Sequence, residues 1–200
     1  MLYDPKRRYT VEEYFEIDAK SEERLQYYRG YIFPKHGVPY QPEYLPTANR
    51  AIVTANLIRL LGIQLSESSL ILYGSEQRLK LPTEQDFFVS AAASDEIPLC
   101  DEHNDAFLVR PSLIVEVEND NGFHVTFGKR IRAASTIPGL VYMLAVSQNY
   151  CNVVLYTKDE SPNSWKLKFL DELEQTLEIP GINCKISLQE IYAKVFTRDR

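Results

Sequence analysis

Apolar and polar positions change period several times along the chain, and each change predicts an element. Thr10-Val-Glu-Glu13 has the spacing of a capping box and predicts a short helix through about Asp18, with Tyr14, Phe15 and Ile17 on its apolar side. Arg24 to Phe33 alternates loosely around Arg29-Gly30, which predicts a hairpin turning at that glycine. Pro34 to Pro46 carries four prolines and one glycine and reads as a loop. From Thr47 to about Ser66, Ala51, Ala55, Ile58 and Leu61 recur at helical spacing, with Ile52, Leu57, Leu60 and Leu65 widening the stripe into a long helix. Leu70 to Tyr73 and Gln77 to Leu81 read as one strand broken near Gly74, and Phe87-Phe-Val89 as another. Ser90 to Arg110 has little periodicity and holds Asp95, Glu96, Asp101, Glu102 and Asp105, so it reads as an exposed acidic loop.

The stretch Pro111-Ser-Leu-Ile-Val-Glu-Val-Glu-Asn-Asp120 has the character of a strand buried on both faces, because Leu113, Ile114, Val115 and Val117 form a nearly continuous apolar run. Phe123 to Ser135 predicts an amphipathic helix ended by Ile137-Pro-Gly-Leu140. Val141 to Val146, Val153 to Tyr156, Trp165 to Leu170 and Thr176 to Ile179 predict strands. Ser187-Leu-Gln-Glu190 predicts a second capping box, opening a helix through about Phe196. The order of elements predicts one α/β (mixed α+β) domain over residues 1–200, with a central mixed sheet flanked by helices on both faces.

Composition narrows the class of function. The net charge of −6 argues against a protein that coats nucleic acid or anionic membrane by bulk charge, while leaving room for a local basic groove. Cys100, Cys151 and Cys184 are an odd, widely spaced three, which predicts reduced structural thiols and a cytoplasmic location. No apolar run reaches the roughly 20 residues of a membrane span, and the charged N-terminus lacks the apolar segment of a secretory signal. His36, His103 and His124 have no zinc-ligand spacing, Ser112, Ser147 and Ser187 lack the G-x-S-x-G context of a hydrolase, and the glycines form no phosphate loop.

What remains is a set of acids. Side chains alternate along a strand, so Glu116 and Glu118 share a side, and a divalent cation relieves the repulsion between two such carboxylates. Phosphodiester hydrolysis needs such a cation, held by carboxylate and carbonyl oxygens, and a nearby basic group. The sequence offers Asp86, then Glu116 and Glu118, then Lys129 and Arg130. The plain alternatives are also open: Glu116 paired with Arg130 or Arg132, Glu118 facing solvent, and Asp86 as a turn residue opening a strand.

The ordered segments Tyr9-Thr-Val-Glu-Glu-Tyr14, Glu23-Arg-Leu-Gln-Tyr-Tyr-Arg-Gly-Tyr-Ile32, Asp86-Phe-Phe-Val89, Pro111-Ser-Leu-Ile-Val-Glu-Val117 and Ile137-Pro-Gly-Leu140 resemble a restriction-endonuclease-like family common in cyanobacteria, formerly a domain of unknown function. That family belongs to the PD-(D/E)XK nuclease superfamily. The resemblance runs from Tyr9 to the C-terminal helix. It implies a Mg2+- or Mn2+-dependent endonuclease acting on double-stranded DNA, with a homodimer as the usual arrangement by analogy of fold. It implies that Asp86 and Glu116 are the metal-binding acids and that the carbonyl of Val117 is a backbone ligand; Glu118, a further candidate ligand, stands where the family usually has an apolar residue and the wider superfamily a lysine. Arg130 falls on a basic position that is lysine in the family, with Lys129 adjacent, and Gln26 falls on an early acidic position. Several of these positions depart from the family pattern. Gln26 has lost a charge, and Arg130 cannot transfer protons because its pKa stays above about 12. Thr126 replaces an aspartate, and Gln85 stands where a proline precedes Asp86. Two functions follow: a metal-dependent endonuclease with a partly degraded site, or an inactive relative kept as a nucleic-acid- or protein-binding module.

Overall fold

A computed structural model of the protein describes residues 2–22, 25–28, 30–34, 47–75, 77–82, 86–95, 100–101, 104–118, 133–161 and 164–195. Its centre is strand β9 (Leu113–Glu118), which pairs in parallel with β10 (Tyr142–Ser147). A parallel pair in mid-sheet is covered on both faces, and the composition fits: Leu113, Ile114, Val115 and Val117 are all buried. The remaining ladders of this six-stranded sheet are antiparallel. Its order is β12 (Trp165–Leu170), β11 (Val153–Lys158), β10, β9, β6 (Ala91–Ser94) and β3 (Ile71–Tyr73). The fold is mixed α+β, with a mostly antiparallel central sheet flanked by helices.

One face of the sheet is closed by α2 (Ala48–Gln64). Thr47 caps this helix by accepting the Arg50 N–H on its hydroxyl, and Val53, Leu57, Leu60 and Leu61 give it a buried stripe. That stripe meets Ala91, Ala93, Leu113, Val115, Val117, Leu144 and Val146. The hairpin β13 (Thr176–Ile179) and β14 (Cys184–Ser187), followed by the short α3 (Leu188–Ile191), completes the same layer. The opposite face carries Ala92, Ile114 and Met143. They pack on Leu79 and Leu108 of a second, four-stranded sheet, and on Ala134, Ile137 and Leu140 of the turn that Gly139 bends with φ +81°.

The second sheet has the order β5 (Asp86–Phe88), β4 (Arg78–Lys80), β8 (Asn104–Leu108) and β7 (Cys100–Asp101). Against it lies the N-terminal unit: α1 (Val11–Asp18), with its capping box formed, and the hairpin β1 (Leu25–Tyr28) and β2 (Tyr31–Pro34), turning at Gly30 with φ +86°. Tyr9, Tyr14, Leu25, Tyr27 and Ile32 form a small core of its own. Arg78 joins the two units. Its buried guanidinium pairs with Asp18 at 2.5 Å and lies over the rings of Tyr14, Phe88 and Phe107.

Several expectations change. The stretches 70–73 and 77–81 are not one broken strand: β3 and β4 belong to different sheets, with the chain crossing between them near Gly74. The region read as an acidic loop contains β6, buried at all four positions, and β8, whose Phe107 and Leu108 are buried. Ala91-Ala-Ala has weak strand propensity and no alternation, so only its place between β9 and β3 makes it a strand. Ser187 makes no side-chain cap, and the helix it opens is four residues long, because the chain is pinned there by β14 and by Leu188 in the core. The loop of 35–46 and most of the helix expected over 123–135 lie outside the described residues. Strand β11 is flanked by β10 and β12, so both its backbone edges are taken; the edge strands of the described sheet are β12 and β3.

Candidate functional site

Alternation along β9 sends Leu113, Val115 and Val117 to the α2 layer and turns Glu116 to the face that Ile114 shares. Glu116 is buried, at 5 % exposure, on a strand that is otherwise apolar. Burial of a carboxylate is costly unless something compensates it, and this marks the position as one kept for chemistry or for a specific contact. On one flank, in register on β10, is Ala145, followed across the sheet by Val154 of β11. On the other flank is Ser90. Its N–H donates to the carbonyl of Val115 at 3.0 Å, and its Oγ accepts the N–H of Val117 at 2.9 Å. Ser90 therefore brackets Glu116 by bonding to the residues before and after it. This is also where the chain leaves β5 of one sheet and enters β6 of the other.

The ends of β9 and β10 carry further polar groups. Glu118 lies in register with Ser147, which is buried, as is Gln148 next to it. The Thr47 hydroxyl donates to Gln148 Oε1, so the cap of α2 is tied to the end of β10. The backbone N–H of Ser147 donates to the carbonyl of Asn152 at 2.9 Å, closing the turn into β11. Ser90, Thr47 and Gln148 were not singled out by the sequence. Of the three, Ser90 alone leaves a trace there, as a small polar residue directly after the apolar Phe87-Phe-Val89.

The residues expected to form a site are placed as follows. Asp86 is the first residue of β5, laddered to Lys80 of β4, and its chain enters β6 at the end of β9 that carries Glu116 and Glu118. Gln26 is in β1, opposite Phe33. Val117 is fully buried, with its N–H on Ser90. The side chains of Asp86, Gln26 and Glu118 lie outside the described residues, as do Thr126, Lys129, Arg130 and Arg132 in their entirety. Only Glu116 and Val117 of the expected set are seen in full.

A hard divalent cation is held by several oxygens, usually more than one of them from a carboxylate. Beside Glu116 in the ladders stand Ala145, in register on β10, and Ser90, whose hydroxyl is engaged with the Val117 N–H. Among the described residues no group of three His, Cys, Asp or Glu side chains is placed to hold a metal. The described residues by themselves do not make a cation cage. Cys151 and Cys184 are free thiols, and burial pushes the Cys184 thiol from 9.0 up to about 11, which makes it a poor nucleophile. Among the described residues, no helix is long and apolar enough to cross a membrane.

No family model matches the chain. An uncharacterized protein of Synechocystis sp. is 24% identical over 159 residues, covering 79% of this chain and 85% of that protein. The crystal structure of a candidate nuclease belonging to DUF820 from Anabaena variabilis superposes with a TM-score of 0.72 at 13% identity, over 94% of this chain and 99% of that one. The fold is thus shared across nearly the full length of both.

Proposed function

We propose that this protein is a DNA-directed member of the PD-(D/E)XK nuclease superfamily, a cytoplasmic Mg2+- or Mn2+-dependent endonuclease by descent, whose cleavage centre is degraded. In this reading it binds duplex DNA without appreciable hydrolysis. The ordered resemblance from Tyr9 to Leu140 and the likeness of fold to a candidate nuclease support the descent. The observation that carries the degraded centre lies in the sequence, where Thr126 and Gln85 stand at positions that are aspartate and proline in the family it resembles. Gln26 in place of an acid and Arg130 in place of a lysine point the same way.

A second reading, an active endonuclease, is favoured by one fact: the chain carrying Asp86 enters β6 at the end of β9 where Glu116 and Glu118 stand. Two assays on one preparation separate the readings. Fluorescence anisotropy with a duplex oligonucleotide is expected to show binding that weakens as salt rises, because phosphate contacts release counterions. Supercoiled plasmid incubated with Mg2+ or Mn2+ is expected to stay uncut. Cleavage that Glu116→Ala abolishes would establish the active enzyme instead. Absence of duplex binding at low salt would remove DNA from the account and leave a protein-binding module.

A further inference from the structure

Strand β12 is an edge of the main sheet, and its residues from Lys166 to Phe169 are exposed without a break. Consecutive side chains on a strand point to opposite faces, so β12 is open on both faces at once. Register with β11 sorts them. Leu167 and Phe169 stand beside Tyr156 and Val154, and are 47% and 65% exposed. Lys166 and Lys168 stand beside Thr157 and Leu155, on the face that α2 covers further in. Among the described residues no strand pairs with the outer side of β12, which leaves its backbone groups as a template for one more strand. The opposite edge, β3, is only three residues long. Lys166 is held by Asp159 at 2.8 Å, and Lys168 has in its field Glu178, which Lys185 already pairs at 2.9 Å. Exposed pairs of this kind are weak and yield to a better partner.

The lysines decide what can dock. Residues directly opposite in an antiparallel ladder share a face, and like charges there oppose pairing. A second copy aligned with Leu167 opposite Leu167 sets Lys166 against Lys168. Aligned with Leu167 opposite Phe169, it sets Lys168 against itself. The edge therefore rejects its own copy. A strand that brings carboxylates to both lysines and apolar side chains to Leu167 and Phe169 meets no such conflict, and it gains main-chain hydrogen bonds along β12. We propose that the outer edge of β12 docks an extended segment of a partner protein in which acidic and apolar residues alternate. Val154 and Ala145 stand between Phe169 and Glu116 across the ladders, so this surface is separate from the candidate site and does not depend on its chemistry.

The probe is a short, end-capped, fluorescein-labelled peptide of alternating glutamate and valine, titrated into the full chain and followed by anisotropy. Binding is expected to be at least about tenfold weaker in Lys166→Glu combined with Lys168→Glu, and also in Leu167→Thr combined with Phe169→Thr. The same peptide with lysine in place of glutamate is expected not to bind. The exchanged positions are exposed, so the variants are expected to fold, and thermal melts check this. Amide hydrogen exchange on the native protein needs no variant: saturating peptide is expected to slow exchange in β12, which attraction between charges alone does not do. Failure of the native protein to bind the acidic peptide overturns the proposal. So does binding that leaves β12 exchange unchanged, which would mean a charged patch only. So does a concentration-dependent dimer in sedimentation that Leu167→Thr with Phe169→Thr disperses, which would give the edge to a second copy.

Discussion

Cys184 shows how one residue ties burial to pH. It sits in β14 among Leu177, Ile179 and Ile186, and the loss of water around the sulfur disfavours the thiolate. Its native pKa of about 11 lies above the ordinary 9.0, so the thiol stays protonated in the folded chain while it ionises in the unfolded one. The stability it contributes is complete below about pH 9 and is lost as pH rises through about 11. Urea midpoints are expected to fall across that window, and to fall less steeply in Cys184→Ala. Equal slopes for the two proteins would show that Cys184 is not the group responsible. Burial raises Tyr156 as well, above its ordinary 10.0, but that group is common to both proteins and cancels in the comparison. Ser90 and Glu116 make the complementary point. A hydroxyl and a carboxylate are individually unremarkable in sequence, and their relation appears only through two hydrogen bonds to Val115 and Val117.

Elements here are joined by a few buried polar contacts. Helix α1 is eight residues long, too short to hold in water alone, and its capping box and Tyr14 are not the whole of its support. Asp18, the last residue of α1, pairs with Arg78 of β4 and also accepts the Leu25 N–H at 3.2 Å, so one carboxylate fastens the helix to its hairpin and to the second sheet. Breaking a buried pair by removing one partner leaves the other charge without compensation. Asp18→Asn is expected to cost about 2–4 kcal/mol, and a double-mutant cycle with Arg78→Met to show coupling well above about 1 kcal/mol. Urea denaturation measures both, and a coupling near zero would mean that the aromatic cage, not the ion pair, secures the unit. Strand β5, which carries Asp86, lies next to β4, so this contact also bears on how the candidate site is presented.

At the scale of the molecule, stability should be graded from the sheet centre outward. Strands β9 and β10 are covered on one face by α2 and the β13–β14 hairpin, and on the other by the second sheet and the 133–140 turn. Strand β12 is an edge, with Leu167 and Phe169 exposed. Local opening follows burial and ladder position, so amide hydrogen exchange is expected to be slowest in β9 and β10 and clearly faster in β12. Exchange in β9 as fast as in β12 would contradict this layering. Glu116 thus stands on the strand expected to open least, where a functional group would be held with little freedom.

The sequence by itself determined the elements whose signal is local. The α1 capping box, the hairpin at Gly30, the α2 stripe, the apolar run of β9 and the strands β10 to β13 all express periodicity or capping chemistry that near neighbours complete. It also singled out Glu116, because an acid in an apolar strand is conspicuous in one dimension. Only the tertiary structure decided the rest. Ala91–Ser94 is a strand because β9 and β3 flank it, the chain divides between two sheets at Gly74 and again at Ser90, and Ser187 opens four residues of helix rather than ten. These outcomes depend on partners distant in the chain, whose hydrogen bonds and packing outweigh the weak preferences of alanine, serine and glycine. For the same reason the neighbour of Glu116 could not be read from spacing: which residue stands across a ladder is set by register, and register is a property of the folded pair.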